Sequence, residues 1–242
     1  MKKVFALLLV VSLMAGLLAG CGGSQDVSGN ISALEKDETT ASAPEAEVTE
    51  AADEESLIGF GRMEGGIYTN TYAGFGCTLD TNWSFYTAEE LQELPENTQE
   101  LYADTEIGEI SDQYANIYDM MAENMTDSTS INVLYTKLGL QDRLAMATMS
   151  EEAIIDVVLD GKDAMIEAYT QAGMENVKIE KTTVTFLGEE HTAMKTTCLL
   201  QGVDYYMVQI IDYSRGSYGI TLTVGSLVDD LTQELLDLFY EV

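Results

Sequence analysis

The sequence predicts an α+β fold: a mainly antiparallel sheet, built from a hairpin and a four-strand meander, packed by a long central helix and a C-terminal helix. Three observations lead there. Residues 177–224 read as four strand-like stretches separated by glycine-bearing turns, the last of them alternating cleanly, the signature of consecutive antiparallel strands. Residues 150–173 carry apolar residues at three- and four-residue spacing between a serine and a glycine, which reads as a helix. Strand runs and helical runs are segregated rather than strictly alternating, which favours α+β over α/β.

Taken in order, residues 67–72 and 75–79 flank Ala73-Gly74, where glycine supplies the positive φ of a tight hairpin. In the second strand Phe75, Cys77 and Leu79 share one face, the core side. Asp80-Thr81-Asn82 turns the chain, and Trp83, the one tryptophan, is expected as a core plug beside the hairpin. Thr87-Ala88-Glu89-Glu90 fits a capping box, so a short helix begins there and stops by Pro95. Within 96–127, residues 101–109 and 113–125 read as helical or irregular. Residues 131–137 alternate Ile131, Val133 and Tyr135, a strand.

The central helix starts at the Ser150 cap and ends at Gly173. Its stripe is Ile154, Val157, Val158, Met165 and Ala168, edged by Leu159, Ile166 and Tyr169. The meander then runs 177–187, 191–201, 203–213 and 217–224. A change of phase between Ile179 and Val184 predicts a bulge. The third strand is apolar on both faces and is expected mid-sheet. The fourth should turn Tyr218, Ile220, Leu222 and Val224 inward and Gly219, Thr221 and Thr223 outward. A last helix after Ser226 aligns Leu227, Leu231, Leu235 and Leu238.

Before this domain the chain is organised differently. Residues 1–20 have Lys2 and Lys3 followed by an apolar run that closes in small residues, a secretory signal too short and wrongly flanked for a stable span. Leu18-Ala19-Gly20-Cys21 resembles the lipobox of bacterial lipoproteins at all four positions. That resemblance implies diacylation of the Cys21 thiol, cleavage just before it, and a membrane partner through the lipid on the extracytoplasmic face of the cell membrane. Two acyl chains suffice for stable anchoring where one is marginal. Residues 22–56 hold ten acids, one base and no aromatic residue. Such a segment buries too little apolar surface to offset its ordering entropy and is expected to be a disordered acidic tether. Residues 57–242 form one domain by size.

The chain of 242 residues carries a formal charge of −31 and a pI near 4.1, which argues against nucleic-acid binding, since neutralising phosphates takes a surplus of Lys and Arg. One histidine, His191, lies at a predicted hairpin with no G-x-S-x-G elbow to partner it, so a Ser-His-Asp triad is not expected. Leu94-Pro95-Glu96-Asn97-Thr98 departs from a sortase signal at its last two positions and lacks a following apolar tail. Asp80-Thr81-Asn82 has the first two calcium-ligand spacings without the third ligand or the sixth-position glycine. No phosphate loop is present, and no cofactor or metal is expected. Cys77 and Cys198 lie on predicted strands and leave two readings open, a disulfide or two buried thiols.

The run Tyr72-Ala73-Gly74-Phe75-Gly76-Cys77-Thr78-Leu79, followed by Trp83-Ser84-Phe85, resembles the opening hairpin of the PsbP-like fold and of many Gram-positive lipoproteins. The later order of strand, helix, meander and helix is similar too, so the resemblance covers most of residues 66–242. It implies a non-catalytic binding or accessory module and assigns no catalytic residues; for an acidic domain on a lipid tether, the expected partner is a protein, a peptide or a divalent cation. The alternative is an extracytoplasmic carboxylate-based hydrolase, which requires two acids converging in one cleft, one of them with a raised pKa.

Overall fold

The computed structural model describes residues 61–91, 116–214 and 216–242. The expected signal segment, Cys21, the expected tether, the expected helix end at Pro95 and the 101–109 segment lie outside them.

Eleven strands appear among the described residues, and they form two antiparallel sheets. The smaller has the order β1 (Arg62–Glu64), β2 (Ile67–Asn70), β3 (Phe75–Thr78) and β11 (Phe239–Glu241). The larger joins β4 (Trp83–Phe85), β5 (Asn116–Asn124), β6 (Thr129–Lys137), β10 (Tyr218–Leu227), β9 (Val203–Asp212), β8 (Glu189–Leu200) and β7 (Met174–Phe186), in that spatial order. The expected hairpin is β2–β3 and the expected meander is β7 to β10.

The large sheet is buried on both faces. On one side Tyr68, Phe75, Cys77 and Phe239 of the small sheet share a core with Val133, Tyr135, Ile220 and Leu222. On the other side α1 (Leu140–Met146), α2 (Glu151–Asp160) and α3 (Lys162–Gln171) contribute Met146, Ile155, Val158, Met165 and Tyr169 to a second core with Leu134, Met194, Met207 and Ile211. Burial on both faces explains why β9 carries apolar residues on both of its faces from Tyr205 to Ile211, with Gln209 the exception.

Several expectations are corrected. The central helix is two ten-residue helices parted at Gly161, whose backbone leaves the helical region at ψ 7°; glycine is a poor interior residue and here it takes the break. The Ser150 cap is as expected, its Oγ accepting from the Ala153 N–H at 3.2 Å. The C-terminal helix is only α4 (Thr232–Leu236), and the chain then returns as β11 to pair with β3. Close approach makes this possible at Gly76: a Cβ there would lie 2.6 Å from the Tyr68 carbonyl oxygen and 3.1 Å from the Tyr240 ring.

Residues 116–124, read from sequence as helical or irregular, are the strand β5, whose pairing with β6 slips between Tyr118 and Met120. That bulge scrambles the alternation a strand would otherwise show. The bulge foreseen at 179–184 sits earlier in β7, between Glu175 and Lys178, where Asn176 takes φ 56°. Thr221 and Thr223 do not face solvent; both are buried, and Gln209 Nε2 donates to Thr223 Oγ1 at 3.2 Å. On the same face Gly219 is required by the Tyr213 ring, which would lie 1.9 Å from a Cβ. Trp83 is half-buried against the inter-sheet core on the short edge strand β4, rather than a central plug. The capping box forms as read, with Thr87 N–H and Oγ1 donating to Glu90 Oε2.

Candidate functional site

The site begins with two long strands. β7 and β8 meet at Leu187-Gly188, both at positive φ (52° and 82°), the geometry of a two-residue hairpin turn. A two-stranded ribbon twists more than a wide sheet, and this one leaves its neighbour. β7 and β8 stay paired out to Phe186↔Glu189, and β9 and β10 stay paired out to Asp212↔Ile220. β8 and β9, however, pair only as far as Met194↔Gln209. Beyond that register the sheet parts, with residues 189–193 on one side and 210–212 on the other.

Glu151, the first residue of α2, occupies the parting. Its Oε2 accepts the Thr192 N–H at 3.2 Å, in place of the missing strand carbonyl, and its Oε1 lies 2.8 Å from His191 Nδ1. His191 also packs edge-on against Phe186, with centroids 5.9 Å apart. The lone histidine is therefore held by a helix-terminal carboxylate and an aromatic ring. Among the described residues that line this opening there is no serine or cysteine.

A cleft of about 320 Å³ opens at the same place, within the size range of small-molecule sites at its lower end. Its floor is apolar: Phe75 from β3, Phe186 from β7, Ile210 from β9, and Ile220 and Leu222 from β10. Phe75 and Phe186 meet edge to face at 5.6 Å. Its rim is acidic: Glu151, Glu189, Asp212 and Glu241. Among the described lining residues there is no lysine or arginine. Glu189 and Glu241 are exposed and make no ion pair among the described residues, whereas Asp212 Oδ1 accepts from Ser214 N–H and Oγ.

Elsewhere, on β5, the carboxyls of Asp119 and Glu123 are held above their ordinary range. Asp119, at the bulge, is raised by burial, while hydrogen bonds from Tyr68, Gly61 and Asn70 pull the other way. Its oxygens accept the Gly61 N–H (2.9 Å), the Tyr68 hydroxyl (2.5 Å) and Asn70 Nδ2 (2.7 Å). Asn70 Nδ2 also reaches the Tyr135 hydroxyl at 2.6 Å, and its Oδ1 accepts the Ala73 N–H at 2.8 Å. This network ties the small sheet to the large one. Glu123 is raised by burial and accepts from the Tyr86 hydroxyl at 2.7 Å. Neither acid lines the cleft.

Cys77 and Cys198 are both free and buried. Cys77 belongs to the core between the sheets and Cys198 to the core under the helices, so the large sheet lies between them and they do not form a disulfide. Burial pushes their thiols up to about 12 and about 11 respectively. At the calcium-like stretch, Asn82 folds back to donate its N–H and Nδ2 to Asp80 at 2.9 and 3.2 Å. Among the described residues no three His, Cys, Asp or Glu side chains group to hold a metal, and no helix is long and apolar enough to cross a membrane.

Sequence reading singled out His191 and not its surroundings, because Glu151 lies 40 residues away and the parting of β8 from β9 leaves no local signal. No protein-family model matches this chain, and no curated protein matches it either.

Proposed function

We propose that this chain is a lipid-anchored extracytoplasmic lipoprotein whose PsbP-like α+β domain is a non-catalytic binding module, with its ligand held in the cleft between β8 and β9. The anchor rests on Leu18-Ala19-Gly20-Cys21 and the acidic stretch at 22–56, which would let the head project from the membrane. The observation that carries the binding role is the cleft itself: an apolar floor opened by two strands that part in mid-sheet. A hydrolase of the carboxylate type would place a carboxyl of raised pKa in that opening. Asp119 and Glu123, whose carboxyls burial raises, lie outside it, each engaged by a phenol.

Two measurements test this. Cells expressing the full chain are fractionated and labelled with an alkynyl palmitate. The wild type should be labelled and membrane-bound, and Cys21→Ser should be unlabelled and released or uncleaved. A membrane-bound, trimmed Cys21→Ser protein would refute the anchor. A small-fragment screen by amide chemical shifts should then perturb Gly74, Leu187 and Ile210 before other residues. Fragments that cluster elsewhere would remove the cleft from the proposal.

A further inference from the structure

We infer that the cleft selects a small amphipathic cation: a protonated amine carried on a compact aliphatic or aromatic body. The inference rests on the binding role proposed above and adds the chemical class of the ligand. The floor offers no charge; Phe186, Ile210 and Leu222 can take only an apolar body. The rim offers charge of one sign. Of its four carboxylates, Glu151 is already turned to His191 and Asp212 to Ser214, but Glu189 and Glu241 have no ion pair among the described residues. A cation seated above the floor would meet these two acids without displacing an existing partner. The long-range field has the same sign: a chain with net charge −31 concentrates cations and repels anions before contact. The concave shape and a volume of about 320 Å³ fit a free small molecule better than a protein surface.

The test uses three probes of matched shape, phenethylammonium, phenethyl alcohol and 3-phenylpropionate, titrated calorimetrically into the folded protein at low salt. Phenethylammonium should bind at least tenfold more tightly than the alcohol, and the propionate should not bind. Its affinity should fall several-fold when sodium chloride rises tenfold, as screening requires. The double variant Glu189→Gln/Glu241→Gln should cost at least fivefold for the cation and leave the alcohol unchanged. Both positions are exposed, so the variant is expected to fold.

Equal affinity for the alcohol, or unchanged cation binding in the double variant, overturns the charge selection while leaving the cleft as a binding site. Failure of all three probes removes the cleft as well. An acetylated, amidated penta-lysine peptide that outcompetes phenethylammonium would show that the occupant is a basic protein segment, and would overturn the small-ligand inference.

Discussion

Asp119→Ala should be among the most damaging single changes in the domain, and its cost can be worked from the contacts. The substitution removes the acceptor for three donors. The Tyr68 hydroxyl is fully buried and loses the partner it donates to. Asn70 Nδ2 is also fully buried but keeps the Tyr135 hydroxyl. The Gly61 N–H is half-buried and can turn to water. A buried donor left unpaired costs about 1–3 kcal/mol. Counting Tyr68 in full and Asn70 in part gives a loss of about 2–4 kcal/mol. At about 2–4 °C per kcal/mol for a domain of this size, Tm should fall by roughly 5–15 °C. Urea unfolding followed by circular dichroism measures the loss, and Asp119→Asn, which keeps one acceptor oxygen, should recover at least half of it. The pH dependence has a definite sign. Because burial raises the folded-state pKa of Asp119 above its ordinary value, the folded state holds the proton more tightly than the unfolded one. Its contribution is therefore full at low pH and is lost as pH rises through the folded value. Wild type should gain stability relative to Asp119→Asn as pH falls from 7 towards 4. A loss below about 1 kcal/mol in Asp119→Ala, or a gap to Asp119→Asn that shrinks on acidification, would refute the reasoning.

Three further outcomes follow from other contacts. Ser150→Ala removes the cap of α2 and should cost about 0.5–2 kcal/mol in the same urea assay, most of which Ser150→Asp should restore. Gly76→Val should cost more than any cap, because its Cβ would press on the backbone of β2 and the ring of Tyr240; loss of β11 pairing would show as fast amide exchange at 239–241. Cys77 and Cys198 should stay unreactive to a thiol reagent at pH 8 until denaturant is added, and mild oxidation should not join them, as mass spectrometry without reduction would show.

What could be read from sequence was whatever repeats locally. The alternation of Tyr218, Ile220, Leu222 and Val224 identified β10 and its inter-sheet face, and the Thr87–Glu90 and Ser150 caps located two helix starts. The opposite face of β10 was misjudged because Thr221 and Thr223 are polar yet covered; side-chain chemistry cannot report a covering layer. β5 was hidden by the bulge beside Asp119, and β11 by its length of three residues. The cleft was invisible for a different reason. It is produced by where the β8–β9 ladder stops, and Glu151, His191, Asp212 and Glu241 come together from four distant segments.

The large sheet ends in two outer strands, β4 and β7, and they are defended unequally. β4 is too short, at three residues, to template another chain. β7 runs for thirteen residues and would otherwise invite polymerisation. The kink at Asn176 interrupts its ribbon, and Glu175, Lys178, Glu180 and Lys181 spread opposite charges along it. Lys181 is held back against Glu152 and Asp156 on α2, and Lys178 is paired with Glu180. That charged rim is what keeps neighbouring copies from zipping together along β7, and clearing its charges should yield fibres before it yields unfolding.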